Sequence, residues 1–367
     1  MRKRFAFIGS LVAAAGLVMS AVVPVVGQTA ASKPAAKAGP AAAKPFVAPK
    51  TPWGDPDIQG TWSSDDLRGV PVQRPDEFAG RSELSDEEFA KRSSENNDTR
   101  TRELNRVGAF RNDVGTRTFR QTSLIVEPAD GRFPPVLPDA QREVALRQEQ
   151  RSHAPASWTD RSLYDRCITR GVFGSVLPVI YGNGNLIFQA PGLVSITYEM
   201  VHDTRIIPLD GRPHVGKHIQ QYLGDARGRF EGNTLVVETT NFLGNTTGVG
   251  GNGGGTPTSD ALRLTERFTR VAPDLLNYEA LIDDPKTFTR PFKLLLPLTT
   301  QPGYQVLPYE CHEGNLALHN ILSAARSEER AAADALKKGL PPPPPSVWLG
   351  GVAAAPAAPP AAAGPAR

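Results

Sequence analysis

The chain has 367 residues, with 41 Lys and Arg against 38 Asp and Glu, and a formal net charge of +3. Arg2, Lys3 and Arg4 supply that whole excess at the N-terminus; without them the two signs balance. A near-neutral chain lacks the electrostatic footprint of a nucleic-acid-binding protein.

Arg2-Lys3-Arg4 is followed by an apolar, small-residue run from Phe5 to Val26 and then by Val25-Val26-Gly27. This reads as a secretory signal peptide over 1–27, cut before Gln28. The alternative is a retained anchor, since about 20 apolar residues can span a bilayer. Pro24 and Gly27 disfavour a continuous helix there. The first cysteine is Cys167, far from the position a lipid anchor requires, and no twin arginine marks the leader. The expected location is periplasmic or secreted, with no stable membrane span after cleavage. Residues 28–50 are Ala/Pro/Lys linker and 341–367 are Pro/Ala tail, interrupted by Val347-Trp348-Leu349. Neither composition can bury a core. One β-rich domain over 51–340 remains.

Within it, Pro56-Asp57-Ile58-Gln59-Gly60-Thr61-Trp62 opens the core. Ser85 and Glu88 form a capping box, and Asp86 to Glu88 favour a helix start, so a charged helix runs from Asp86 towards Arg106. A second helix follows Pro138, through Gln141 to Gln150. From about residue 180 the period changes to two. Val194 to His202 alternates, with Val194, Ile196, Tyr198, Met200 and His202 on one face. Asn185–Ala190, Arg205–Leu209 and Ile219–Leu223 are further strands. A short strand ending at Phe230 turns at Glu231-Gly232-Asn233 into Thr234–Phe242. Ala261–Val271 and Leu275–Asp283 form a hairpin about Ala272-Pro273-Asp274, and Lys293–Leu298 is one strand more. Asn315 caps a last helix that Gly339 and prolines stop. Consecutive strands with short turns predict a mostly β chain (α+β overall), an antiparallel barrel or sandwich with two early helices and a C-terminal one.

Gly60-Thr61-Trp62 resembles the lipocalin and calycin pattern, which implies an up-and-down barrel holding a small ligand in its mouth. The early helices depart from that pattern, and a Trp packing a barrel floor is the alternative reading of Trp62. More specifically, four stretches resemble a large family of uncharacterised exported bacterial proteins. They are Tyr164 to Cys167, His202-Asp203-Thr204-Arg205-Ile206-Ile207-Pro208-Leu209-Asp210-Gly211-Arg212-Pro213-His214, Gly228 to Phe242 and Cys311-His312-Glu313-Gly314-Asn315. The resemblance spans roughly 52–338 and implies export but no activity. Phe230 stands where that family usually has Trp.

In an oxidising compartment Cys167 and Cys311 most often pair as a disulfide; a metal-bound or catalytic Cys311 is the alternative. His202 falls on the inward face of its strand by alternation. So does Glu266, which shares a face with Leu262, Leu264 and Phe268. A titratable group facing a barrel interior is paired or functional. With Tyr198, these two would perform acid–base chemistry if they face one cavity; a structural polar pair is the other reading. Arg205, Arg212 and His214 lie near His202, while Arg166 and Arg170 flank Cys167, which the disulfide brings near His312. Such clusters suit an anionic group. His214 and His218 stand four apart, but Pro213 and Gly216 break the helix a metal pair would need, so no metal is assigned. Gly248, Gly250 and Gly253 match a dinucleotide fingerprint literally, yet strand rather than helix follows, so the run reads as a flexible loop or lid. No cofactor is expected. Three functions fit: binding of a small amphiphilic or anionic ligand in a barrel cavity, a cofactor-free lyase, isomerase or hydrolase, or a structural envelope role.

Overall fold

The computed structural model describes residues 46–107, 115–301 and 303–344. The expected signal peptide, the linker up to residue 45 and the Val347-Trp348-Leu349 island lie outside the described residues. In chain order the elements are β1 (Gly60–Ser63), α1 (Asp86–Val107), β2 (Ile125–Glu127), α2 (Pro138–Ser152) and α3 (Gly171–Val176). Then come β3 (Gly184–Ala190), β4 (Leu193–Tyr198), β5 (Thr204–Pro208), β6 (Asp225–Glu231) and β7 (Thr234–Thr240). A small hairpin of β8 (Gly248–Val249) and β9 (Thr256–Pro257) precedes β10 (Arg263–Ala272), β11 (Leu275–Asp283), β12 (Phe292–Thr299) and α4 (Ala317–Lys337).

Among the described residues ten strands form one antiparallel sheet, ordered β5-β4-β3-β1-β12-β11-β10-β7-β6, with β2 also on β12. The sheet curls until its two edge strands meet. β5 and β6 touch without a hydrogen-bonded ladder. Gly228 on β6 permits this approach, because a Cβ there would stand 2.7 Å from both Ile207 and Leu209 side-chain carbons. The result is a nearly closed antiparallel barrel, as the strand spacing predicts.

Alternation sorts the side chains. On β10 and the residue before it, Leu262, Leu264, Glu266 and Phe268 are all buried while Arg263, Thr265 and Arg267 face outward. On β3, Ile187 points inward and Leu186 and Phe188 outward. Trp62 is fully buried, donates Nε1–H to the Ile58 carbonyl at 2.9 Å, and carries the Arg270 guanidinium over its ring at 5.5 Å. The capping box of Ser85 and Glu88 forms reciprocally, and Asn315 Oδ1 accepts the Ala317 N–H at the start of α4. No described helix is long and apolar enough to cross a membrane.

Three expectations change. The strand read through Val194–His202 ends at Tyr198, and residues 199–203 turn back into β5. Val201 and His202 both adopt left-handed backbone, φ 64° and 46°, and the Tyr198 N–H closes the turn on the Asp203 carbonyl. His202 therefore leaves the inner face and is exposed. Left-handed Val201 costs about 1–2 kcal/mol, a local conformation that periodicity does not register. Second, Ile219–Leu223 is not a strand. Gln221 makes only an isolated backbone bridge to Phe242, and the Asn241 side-chain amide donates to the carbonyls of Val215, Gly216 and Ile219. Third, the glycine-rich run is a structured hairpin against α3, with Gly248 and Val249 buried, rather than a free lid.

Cys167 and Cys311 form the expected disulfide across 144 residues of sequence. It ties the segment before α3 to the segment before α4, and Asn315 Nδ2 lies 3.1 Å from Cys167 Sγ. Loop closure of this length contributes about 5 kcal/mol in the chain-entropy model. Reduction, or a Cys167→Ser/Cys311→Ser double variant, is expected to lower the unfolding free energy extrapolated from urea titration by an amount near that figure, with the slope of the transition as the check on the unfolded state.

Candidate functional site

The barrel interior carries a polar cluster on β4, β5, β7, β10 and β11. Glu266 of β10 and Arg205 of β5, both buried, form a bidentate pair with N–O distances of 2.8 and 2.5 Å. Arg205 also donates to the Tyr198 hydroxyl of β4 at 3.1 Å and the Thr239 hydroxyl of β7 at 3.0 Å. Tyr278 of β11 donates to Glu266 at 3.0 Å. The cluster spans the β5/β6 seam from the inside, because Arg205 reaches from one edge strand to groups on β7 and β10. Burial is the largest influence on Arg205 and favours its neutral form, yet Glu266 and Tyr198 hold its pKa well above the usual arginine value. Burial pushes the Tyr198 hydroxyl up to about 12, and burial with the Glu266 charge also raises Tyr278 well above the usual tyrosine value. These tyrosines hold their protons at any ordinary pH.

Around that cluster the interior is occupied by packed side chains, among them Leu235, Val237, Leu264, Phe268 and Leu276, all 3 % exposed or less. Glu266 is 0 % exposed and His202 stands on the surface turn, so the two share no cavity. Glu266 is inward, as its alternation predicts, but its partners are Arg205 and Tyr278.

A second cluster surrounds the disulfide. Arg170 is fully buried, with its guanidinium 5.6 Å from the centre of the Tyr164 ring, and burial pulls its pKa down to about 10. Burial and a hydrogen bond with Tyr309 push the Tyr164 hydroxyl up. Thr169 donates to Asp203 at 2.5 Å, joining this segment to the His202 turn, and burial raises the Asp203 carboxyl. Arg166 instead stacks on the Trp158 ring at 4.4 Å, and His312 is exposed. Arg212 is exposed and pairs with Asp210, and His214 Nδ1 lies 3.0 Å from Asp225. The arginines and histidines nominated from sequence thus divide among the interior, the disulfide region and two separate surface pairs.

A cleft lies elsewhere on the molecule. It has a volume of about 520 Å³ and sits at the end of the barrel where β7 and β11 finish and β10 begins, roofed by α2. Pro138 opens α2 at a position where its missing N–H costs nothing. The chain before it is pinned by Leu137 N–H to the Thr287 carbonyl and by Thr289 N–H to the Pro135 carbonyl. Arg147 of α2 donates to the Asn245 carbonyl on the far wall. Buried Asp284 braces the floor, accepting from Ser259 N–H and Oγ–H, both at 2.6 Å, and from Thr287 Oγ–H at 2.8 Å. Gly244 lets the walls approach, since a Cβ there would lie 2.6 Å from the Asp260 nitrogen. Sequence reasoning missed this cleft. The available signal was that in an antiparallel meander the loops after β7 and β11 share one end, and both are polar.

No family model, curated protein or solved structure matches this chain.

The interior pair yields a direct stability test. Removing one partner strands a buried charge, so Glu266→Leu and Arg205→Met are each expected to lose about 3–5 kcal/mol. The double variant is expected to lose less than either single change in urea unfolding; losses that simply add would mean the two residues are independent. His202→Asn, which suits left-handed backbone, is expected to shift stability by no more than about 0.5 kcal/mol.

Proposed function

We propose that the protein is an exported β-barrel that binds a small ligand at the rim of the barrel, in the cleft beneath α2, rather than inside it. The carrying observation is the cleft itself. Its volume of about 520 Å³ falls in the range of small-molecule sites, and its walls combine polar groups with a few apolar ones. The packed interior, closed around Arg205 and Glu266, leaves the rim as the place for a ligand. The leader composition, the resemblance to exported bacterial proteins and the disulfide support the exported half of the reading. Acid–base chemistry by His202 with Glu266 is not part of it, because the two share no cavity.

The filled interior favours a second reading, in which the barrel is a structural envelope protein. One screen separates the two. In thermal-shift assays against carbohydrate, aromatic-acid and lipid collections, with and without metals, at least one class is expected to raise the melting temperature. Binding at a hundredfold excess over Kd contributes about 2.7 kcal/mol. Leu243→Trp, which places an indole in the cleft from an already exposed position, is expected to abolish the shift without lowering the melting temperature of the free protein. A screen in which no compound acts, or in which Leu243→Trp responds like the wild type, favours the structural reading.

A further inference from the structure

We infer that the cleft beneath α2 takes a neutral polyhydroxylated compound, a single sugar or short oligosaccharide, rather than an anion or a polycation. This rests on the reading of the cleft as the ligand site. Its wall contains three carboxylates, Asp139, Glu143 and Asp260, which by count alone suggest an acidic site. Each already has a basic partner. Asp139 pairs with Arg142, Glu143 with Arg147 at 2.9 Å, and Asp260 with Lys286 at 2.7 Å. The Lys286 hydrogen bond holds the Asp260 carboxyl below its ordinary value, so the pair stays ionised. A ligand with net charge would have to displace a partner or leave one of these charges uncompensated.

A neutral polyol faces neither difficulty. An ionised carboxylate has about four acceptor positions and an ammonium three donors, so each pair keeps capacity after satisfying its partner. Vicinal hydroxyls both donate and accept, and can fill the unused positions on Asp260 and Lys286 at once. The amides of Gln220 and Asn245, also in the wall, provide the same mixed donor and acceptor character. Leu243, Pro257 and Ala140 supply the apolar part of the lining, of which exposed Leu243 suits the C–H face of a sugar ring. No aromatic side chain lines the cleft among the described residues, which points to modest affinity. Asn245 is positioned by left-handed backbone, φ 58°, and by its N–H on the Thr258 carbonyl at 2.8 Å.

The test uses the full chain on an array of neutral hexoses and N-acetylhexosamines, from single sugars to short oligomers, with calorimetry on the best binder and on spermidine and citrate. A neutral saccharide is expected to bind with an affinity that changes less than about twofold between low and physiological salt, because no net charge is contacted. Gln220→Ala and Asn245→Gly, both at exposed positions, are each expected to weaken it by about tenfold, with melting temperatures unchanged. Leu243→Trp is expected to remove it. Salt-sensitive binding of spermidine or citrate that Leu243→Trp removes would overturn the ligand class while leaving the cleft as the site. Saccharide binding indifferent to all three substitutions, or no binding by any probe, would overturn both.

Discussion

The bidentate contact between Arg205 and Glu266 does for this barrel what a ladder of backbone hydrogen bonds does elsewhere in the sheet. β5 and β6 are the two strands left over when the sheet curls, and they meet without pairing. Arg205 reaches inward from β5 and grips β10 through Glu266 and β7 through Thr239. Two charges taken out of water are costly unless geometry and further bonds compensate. Here the fork meets both carboxylate oxygens, and Tyr198 and Tyr278 occupy further positions on the guanidinium and the carboxylate, while the buried Arg205 Nε has no partner among the described residues. The pair is better understood as a device of specificity, fixing which strands face one another, than as a net source of stability.

Closing the barrel in this way determines where chemistry can occur. The interior around this ion pair and its two tyrosines is occupied by packed apolar side chains. The accessible concave surface under α2 lies at an end of the barrel. There buried Asp284 organises Ser259 and Thr287 by side-chain bonds, while α2 lies across them and is tied down by Arg147. Around the disulfide, Arg170 and its tyrosines, the Thr169–Asp203 bond and the packed glycine hairpin fasten three long connections together. Loops held by buried polar side chains can present a site without being mobile.

Much of the fold was legible because it follows from period and punctuation. The hairpin of β10 and β11, the capping box of α1, the Asn315 cap of α4 and the inward position of Glu266 all came from patterns two to four residues long. The disulfide followed from cysteine parity. What escaped were decisions made by single residues against the pattern. Nothing in the alternation from Val194 to His202 announces that Val201 will take up left-handed backbone and carry His202 out to solvent. Ile219–Leu223 looked like a strand because its composition does not reveal that the Asn241 side chain occupies the nearby carbonyls. The cleft was invisible for another reason. Its residues run from Asp139 to Thr287 and converge only through the order of strands, which periodicity does not supply.

That order has a kinetic side. β1 sits between β3 and β12, with Ser63 opposite both Gly184 and Thr299. The strand synthesised first is thus flanked on one side by the strand synthesised last. A chain emerging from the ribosome cannot complete the sheet until residue 299 has been made, and most of the contacts it awaits are remote in sequence. Folding by such non-local pairing is slow. Through most of its synthesis this polypeptide therefore lacks the strand that completes its sheet.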